Sequence, residues 1–425
     1  MGDVQVNIES VAFKGYGVAR VHGKVVFIPY TVTGDQAWIE MIEGTKPYAM
    51  GRLIRIIQPS PWRVDPLCPY FGTCGGCQWQ HITHAIQGEL KRNILNDLLM
   101  RLGGLKEVPP IKVIPSPHSY GYRSRIQLKA KNKRLGYYQE KSHRLVEVRE
   151  CLIAHPFINR MLQSLPKTSL FFPHMEEIEI NVSPEEHKGI LFLHTPSLHR
   201  NTEHFLKKFL QDQTLFKGMV AGKRGGVTFF GDPSLNFTIP LSHDGKKRNL
   251  KLRLSPGSFF QINLELNRAL IQTVLQFSEV NEEVSVVDLY AGVGNLTLPL
   301  AMGANEVCGI EENKIAIEDA RFNTEENRIK NCHFIHGKVE DVLLRWKRKR
   351  PAVIVLDPPR TGCKAILDQV VRGKPKKIVY VSCEPTTFSR DLHLLSERGY
   401  SLQRLCLIDM FPQTYHMEVV GLLTR

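Results

Sequence analysis

The sequence predicts a multidomain protein in which a small OB-like β-barrel and a central α+β domain precede a doubly wound, Rossmann-like α/β domain. The chain has 425 residues, too many for one ordinary hydrophobic core. Short alternating segments fill the first 58 residues, whereas strands and helices alternate regularly from about residue 256. We therefore expect domains over 1–58, 59–255 and 256–425.

The composition indicates a globular protein with a polyanionic partner. Hydrophobic residues make up 42% and charged residues 23% of the chain, and the formal net charge is +14. This charge favours nucleic acid as the partner. The sequence has no apolar run of membrane-spanning length, and its N-terminus MGDVQVNIES lacks the features of a signal peptide. We expect a cytoplasmic protein with no membrane contact and see no sign of an obligatory protein partner.

The N-terminal barrel is predicted from five short strands that glycines separate. The predicted strands are Val4–Glu9, Gly17–Arg20, Val25–Ile28, Gln36–Ile42 and Gly51–Ile57. Five strands in fewer than 60 residues are typical of an OB-like barrel, which is a common nucleic-acid-binding module.

A cysteine cluster opens the central domain, after the proline-rich linker at 59–66. Cys68, Cys74 and Cys77 have the spacing C-x5-C-x2-C. Cytoplasmic cysteines are normally reduced, so such a cluster indicates a metal or cofactor site. A fourth ligand is needed, and Cys151 is the next cysteine along the chain. The spacing is compatible with zinc and with an iron–sulfur cluster.

The remainder of the central domain is predicted to begin with a helix over 84–102 and then to be mostly antiparallel strand. The apolar face of this helix allows it to pack on the C-terminal domain. The segment G-Y-R-S-R at 121–125 places Arg123 and Arg125 beside Tyr120 and Tyr122. Guanidinium and tyrosine side chains together suit phosphate and base contacts.

The first strand of the C-terminal domain is followed by the turn D-L-Y-A-G-V-G-N at 288–295. Gly292 and Gly294 are present, but Thr297 occupies the third glycine position of the dinucleotide fingerprint. Glu311 follows at the end of the second strand, where an acid can accept both ribose hydroxyls of a nucleoside. A ligand with an adenosine and no phosphate therefore fits, which favours S-adenosylmethionine over NAD.

Further candidate residues follow the fourth and fifth parallel strands. Asp357 lies in L-D-P-P-R at 356–360, and Cys383 lies in V-Y-V-S-C-E-P at 379–385. A single cysteine is more often a packed residue than a reactive one. However, parallel strands bring Gly292, Glu311, Asp357 and Cys383 to one edge of the sheet, which favours a site.

The C-terminal segment F-P-Q-T-Y-H-M-E at 411–418 adds a carboxylate. If the last strand is antiparallel, it begins at that same edge and Glu418 faces Cys383. A thiol nucleophile, a carboxylate base and a methyl donor together match methylation at carbon 5 of a pyrimidine.

These motifs resemble those of the RNA uridine-C5 methyltransferase family, most closely its 23S rRNA branch, over essentially the whole chain. The resemblance implies that Cys383 adds to carbon 6 and that Glu418 removes the proton from carbon 5. It also implies an N-terminal TRAM RNA-binding domain. It assigns S-adenosylmethionine to Gln261, Tyr290, Asn295, Glu311 and Asp357, and a [4Fe-4S] cluster to Cys68, Cys74, Cys77 and Cys151. One departure is Ala291, where many members have cysteine.

The combination of barrel and cluster favours 23S rRNA, because the bacterial tRNA enzyme of the family typically lacks both. The alternatives are a tRNA uridine-C5 methyltransferase and a non-catalytic iron–sulfur RNA-binding protein. A DNA cytosine methyltransferase would have a Pro-Cys motif where this chain has Asp357-Pro358-Pro359. A uridine in folded RNA must be flipped out to reach Cys383, and Arg390 is a candidate phosphate contact.

Overall fold

The N-terminal strands form one six-stranded sheet with a small apolar core. The computed structural model describes residues 3–42, 47–169, 171–172, 174–223, 226–243, 246–346 and 350–425. The strands are β1 Val4–Asn7, β2 Ser10–Ala12, β3 Tyr16–Val21, β4 Lys24–Ile28, β5 Gln36–Ile42 and β6 Tyr48–Gln58, in the order β1-β5-β6-β4-β3-β2. Alternate residues such as Val26, Ile28, Ala37 and Ile39 are fully buried. The sequence did not predict β2.

The central region contains a seven-stranded sheet. Its strands, numbered after β7 of the C-terminal sheet, are β8 Arg125–Lys131, β9 Arg134–Tyr138, β10 Leu145–Glu147, β11 Glu177–Ser183, β12 Lys188–His194, β13 Phe216–Lys223 and β14 Gly226–Gly231. The order is β10-β9-β8-β11-β12-β13-β14. The expected antiparallel arrangement is wrong at one pair: β12 and β13 are parallel, because the helix over Arg200–Asp212 returns the chain between them.

A hairpin lies at the expected boundary near residue 255. It consists of β15 Leu235–His243 and β16 Lys246–Leu254. Its apolar side chains share a core with Leu270 and Val274 of the following helix and with the C-terminal sheet. Two asparagine side chains also accept hydrogen bonds from the backbone of β16. The hairpin therefore packs with the C-terminal unit, although it precedes residue 256.

The C-terminal unit is built on an eight-stranded sheet. Its strands are β7 Ile111–Ile114, β17 Ser285–Leu289, β18 Glu306–Glu311, β19 Cys332–His336, β20 Val353–Leu356, β21 Lys377–Ser382, β22 Ser401–Ile408 and β23 Glu418–Thr424. Their order is β19-β18-β17-β20-β21-β23-β22-β7. The strands β17 to β21 are parallel, and β23 is antiparallel to both of its neighbours.

Nine α-helices are present in the described parts of the chain. They are α1 His84–Arg101, α2 Pro156–Ser164, α3 Arg200–Asp212, α4 Leu264–Ser278, α5 Thr297–Ala301, α6 Lys314–Glu326, α7 Val339–Leu344, α8 Leu367–Arg372 and α9 Pro385–Ser396. None of these helices combines the length and the apolar character needed to cross a bilayer.

The segment from α1 to β7 belongs spatially to the C-terminal sheet. Leu90, Ile94 and Leu99 of α1 are buried in a core that includes Phe388 of α9. β7 then pairs in parallel with β22 at the edge of the sheet. The helix accordingly contacts the C-terminal unit, as its apolar face allows. β7 is short and lies among prolines, so its sequence gave no strand signal.

Candidate active site

The predicted site residues meet at one edge of the C-terminal sheet. Leu289 at the end of β17 pairs with residues of both β18 and β20, so Tyr290, Glu311 and Asp357 lie at the same level. Cys383 follows β21, which is the neighbour of β20. Parallel strands thus bring together residues that are far apart in sequence.

The glycine turn after β17 is fixed to Glu311. Gly292 and Gly294 have φ angles of 54° and 90°, in the left-handed region that favours glycine. The backbone N–H of Gly292 donates to one carboxylate oxygen of Glu311 at 3.0 Å, and that of Asn313 donates to the other at 2.7 Å. A Cβ atom at Gly294 would lie 3.0 Å from Leu298, so the turn packs closely on the helix that follows.

A pocket opens beside this turn. Gln261, Tyr290, Asn295 and Asp357, four of the five predicted cofactor residues, line it. The amide groups of Asn295 and Asn267 of α4 donate to each other at 2.8 Å, which fixes the orientation of Asn295. Glu311 does not line this pocket but shapes it through the bond to the turn.

Asp288 is a pocket residue to which sequence reasoning gave no role. Its side chain is buried, one carboxylate oxygen accepts a 2.5 Å hydrogen bond from Thr297, and the other has no partner among the described residues. Burial raises the pKa of Asp288 to about 7, and the charges of Asp357 and Glu311 add to this effect. An acid within a buried strand is the signal that could have identified it.

Cys383 lies between the end of β21 and the first turn of α9, and it is partly buried. Burial raises the pKa of the Cys383 thiol to about 12, with further contributions from the negative charges of Glu418 and Asp357. A hydrogen bond from Arg360 and its positive charge act in the opposite direction. The raised pKa therefore favours the thiol over the thiolate.

Glu418 is the first residue of β23 and is 2% exposed. Because Ser382 pairs with Val419 in the antiparallel pair β21–β23, Cys383 and Glu418 lie opposite each other at the end of the ladder. Burial and the nearby charge of Asp357 raise the pKa of Glu418 well above its usual value. The register thus brings the Cys383 thiol and the Glu418 carboxyl group to the same end of this ladder.

Arg360 and His416 are two further groups at this edge that sequence reasoning left without a role. Arg360 influences both Cys383 and Glu418 electrostatically. Burial and the charges of Arg360, Lys91 and Arg123 lower the pKa of His416 to about 3, so this imidazole is neutral. Both residues lie in motifs already described, but the proximity of Arg360 to Cys383 and to His416 depends on the fold.

Two expected RNA contacts are engaged within the protein instead. Tyr122 is buried, and its hydroxyl donates to the carbonyl of Pro412 at 3.0 Å, so the expectation that it contacts RNA is wrong. The Arg390 guanidinium donates to Asp391 and to the carbonyl of Thr361, each at 2.9 Å. Arg390 is therefore bound intramolecularly.

The four predicted metal ligands line one cavity of about 50 Å³, together with Arg123 and Tyr137. Asn159 holds Cys151 through two backbone hydrogen bonds, of 2.9 and 3.1 Å. Burial raises the pKa of Cys74 to about 11 and that of Cys77 to about 12. Among the described residues, no group of three or more His, Cys, Asp or Glu side chains has an arrangement that could hold a metal ion.

This chain is similar to known proteins over nearly its whole length. The family model described as tRNA (Uracil-5-)-methyltransferase matches residues 84–425. An uncharacterized RNA methyltransferase of Aquifex aeolicus is 34% identical over 427 residues, covering 99% of this chain and 98% of the relative. The 23S rRNA (uracil(1939)-C(5))-methyltransferase RlmD of Pectobacterium atrosepticum is 32% identical over 428 residues, covering 99% and 93%.

A solved structure is also similar over its full length. It is the crystal structure of the Pyrococcus abyssi tRNA (uracil-54, C5)-methyltransferase in complex with S-adenosyl-L-homocysteine. The two chains are 25% identical, superpose with a TM-score of 0.75, and each is covered to 99%. The similarity thus includes the N-terminal sheet and the central region as well as the C-terminal sheet.

Proposed function

The chain belongs to the tRNA (uracil-5-)-methyltransferase family, and from this premise we propose that it methylates carbon 5 of a uridine in 23S ribosomal RNA. The observation that carries the proposal is the register of β21 and β23, which sets Cys383 opposite Glu418. A nucleophile and a base on either side of one substrate ring are what this reaction requires.

Cys383 is the proposed nucleophile. Carbon 5 of uracil is a poor nucleophile until a thiolate adds to carbon 6 and turns the ring into an enolate. The Cys383 thiol must lose its proton for this addition, and Arg360 favours the thiolate through its hydrogen bond and its charge. S-adenosylmethionine supplies the methyl group that carbon 5 then accepts.

Glu418 is the proposed base. After methylation, carbon 5 carries both the methyl group and its original proton. The Glu418 carboxylate takes this proton, the bond between sulfur and carbon 6 breaks, and the Cys383 thiolate is released. Because Glu418 is buried beside Asp357, its carboxylate is a stronger base than an exposed one.

The pocket beside the glycine turn is the proposed site of the methyl donor. Gln261, Tyr290, Asn295 and Asp357 would contact it, Glu311 would accept hydrogen bonds from the ribose, and the unpartnered oxygen of Asp288 adds an acceptor. An acidic lining suits the positive sulfonium, and the open space at Gly292 lets a ligand approach the backbone closely.

Ribosomal RNA is proposed as the substrate because of the relatives that act on it. Several relatives 30–32% identical over 99% of this chain are named as 23S rRNA methyltransferases. However, the similar Pyrococcus abyssi structure is that of a tRNA enzyme and matches over 99% of both chains. The presence of the N-terminal and central regions therefore does not distinguish an rRNA enzyme from a tRNA enzyme. The barrel and the cysteine cluster thus no longer favour 23S rRNA. A tRNA substrate remains the second candidate.

The four cysteines are proposed to hold a [4Fe-4S] cluster. In such a cluster each thiolate binds a different iron. The support for this proposal is that all four thiols line one cavity. We assign the cluster a structural role. The N-terminal sheet is the proposed TRAM-like RNA-binding domain.

The experiment that tests the function is a map of methyl acceptors. The purified protein is incubated with labelled S-adenosylmethionine and either unmodified 23S rRNA or unmodified tRNA, and the labelled nucleoside is identified. We expect 5-methyluridine at one position or a few positions of the rRNA. Label confined to tRNA would establish the second candidate, and label in neither RNA would reject both.

A further inference from the structure

The loop that leads to Glu418 is held by groups from several other parts of the chain. Four successive backbone carbonyls, those of residues 410–413, each accept a hydrogen bond from outside the loop. The donors in order are the Asn263 amide at 3.2 Å, the Lys91 ammonium at 3.0 Å, the Tyr122 hydroxyl at 3.0 Å, and the backbone N–H groups of Gln78 and Trp79 at 3.1 and 3.0 Å. The loop therefore depends on contacts made across the whole molecule.

Gln413 is the residue with the most such contacts. Its backbone N–H donates to the Gln87 side-chain oxygen at 2.8 Å, and its own side-chain oxygen accepts from the Gln87 amide at 3.2 Å. Its φ angle is 67°, which non-glycine residues adopt only when the surroundings impose it. Both glutamine side chains are buried, so loss of either would leave unsatisfied polar groups.

The same contacts connect the cysteine site to the loop. Gln78 and Trp79, which donate to Gln413, directly follow Cys77 in the chain. The Gln78 side chain also donates to the carbonyl of Gly75 at 3.0 Å, which ties the segment between Cys74 and Trp79 together. Only one or two peptide units thus separate Cys77 from the N–H groups that bond Gln413.

The C-terminal end of the loop connects Gln413 to Glu418. The Thr414 hydroxyl donates to the carbonyl of Phe411 at 2.8 Å and accepts from the backbone N–H of His416 at 3.3 Å. Glu418 follows two residues later, at the start of β23. A buried ion pair of 2.5 Å between Lys91 and Asp409 fixes the other end.

We propose that Gln413 is a positioning residue for the Glu418 carboxylate, and that Gln87 and the backbone after Cys77 set its place. This inference rests on the proposed function. It assigns the four-cysteine site an effect on one step of the reaction, the removal of the carbon 5 proton. Addition of Cys383 and methyl transfer precede that step and do not need Glu418.

The test uses Gln87→Ala, with Asn331→Ala as the matched control. The Gln87 amide donates to the backbone carbonyls of Trp79 and Ile82, at 3.3 and 2.9 Å. The Asn331 amide likewise donates to two backbone carbonyls, those of Ala301 and Ala304, but it lies outside the loop contacts. With unmodified 23S rRNA and labelled S-adenosylmethionine, kcat and KM are measured, and the covalent protein–RNA adduct is quantified on denaturing gels.

If Gln87→Ala displaces the Glu418 carboxylate, the variant should show a specific kinetic result. We expect kcat to fall about 10- to 100-fold with little change in KM, and the methylated covalent adduct to accumulate several-fold over the wild-type level. Asn331→Ala is expected to resemble the wild type. If Gln87→Ala is poorly folded, Gln87→Glu keeps the acceptor for the Gln413 N–H and removes the amide donor. Equal adduct levels in the folded Gln87 variant and in Asn331→Ala would overturn the proposal.

A second arm tests the link to the cysteine site. Cys77→Ser is compared with Cys332→Ser, which alters a cysteine outside the cavity. We expect adduct to accumulate in Cys77→Ser and not in Cys332→Ser, whereas an equal effect of the two would reject the link. Wild-type methylation of the RNA separates the two hypotheses: if it is absent, the proposed function fails; if it is present without a shift in adduct, the positioning role fails.

Discussion

Cys383 and Glu418 lie opposite each other across the antiparallel pair β21–β23, because Ser382 and Val419 are paired at its end. Cys383 directly follows β21 and Glu418 begins β23, so this single register sets their relative position. Burial raises the pKa of both groups, and the charge of Asp357 adds to this effect. A slip of one residue would turn one of the two side chains to the other face of the sheet and would separate the pair.

Replacement of the nucleophile is expected to abolish the chemistry without loss of RNA binding. For Cys383→Ala we predict a fall in methyl transfer of at least about 1000-fold, because carbon 5 is not activated without addition at carbon 6. RNA affinity is measured in parallel by filter binding and is expected to stay within about threefold, since phosphate contacts dominate affinity. Retained methylation would contradict the proposed mechanism.

Replacement of the base is expected to trap the reaction after methyl transfer. Glu418→Gln keeps the size and a polar group but cannot accept the carbon 5 proton. We predict a covalent protein–RNA adduct that contains the labelled methyl group and does not resolve. The adduct is detected on denaturing gels, with Cys383→Ala as the control that cannot form it. A Glu418→Gln protein without adduct would count against this assignment.

Arg360 is predicted to set the pH dependence of the nucleophile. The thiolate is the reactive form, and the pKa of the Cys383 thiol is raised to about 12, so the rate should increase with pH across the neutral range. Loss of the Arg360 cation raises this pKa further, and the rising limb for Arg360→Gln should move to higher pH. Profiles of kcat/KM between about pH 6 and 9 measure this, and Arg360→Lys, which keeps the charge, should restore much of the rate.

Asp288 is predicted to make stability fall as the pH rises. Its pKa is about 7 in the folded protein, whereas an unfolded aspartate has a pKa of about 4. The folded state therefore binds more protons between these values, and this contribution to stability is lost as the pH rises through them. Asp288→Asn should raise Tm relative to wild type at pH 8 more than at pH 5. Asp368 is exposed, so Asp368→Asn is the control. An equal change in Tm for Asp288→Asn at both pH values would refute the prediction.

The four cysteines are predicted to bind iron and sulfide. Protein purified anaerobically should be brown and should contain about four iron and four sulfide per chain. Cys77→Ser should lose the colour and lower Tm, whereas Cys332→Ser should keep both at the wild-type level. Stoichiometric zinc without iron would identify the site as a zinc site instead.

Much of the fold was predictable because its signals are local. The strands of the C-terminal sheet alternate with helices in the sequence, and the glycine turn marks the end of the first strand. By contrast, the pairing of β7 with β22 and the packing of the β15–β16 hairpin on the C-terminal core were not foreseen. These contacts join segments distant in sequence. The alternation of residues within a short strand does not indicate which other strand pairs with it.

The sequence by itself determined which residues reach this edge of the sheet, since Tyr290, Glu311, Asp357 and Cys383 each occur at the end of a parallel strand. Such ends meet at one edge whatever the details of packing. The tertiary structure decided the pKa shifts of the site residues and the hydrogen bonds that fix the site. The burial that raises the pKa of Cys383, and the hydrogen bonds that tie Gln413 to the segment after Cys77, come from long-range contacts. Desolvation and hydrogen bonding depend on the final packing, which no local pattern specifies.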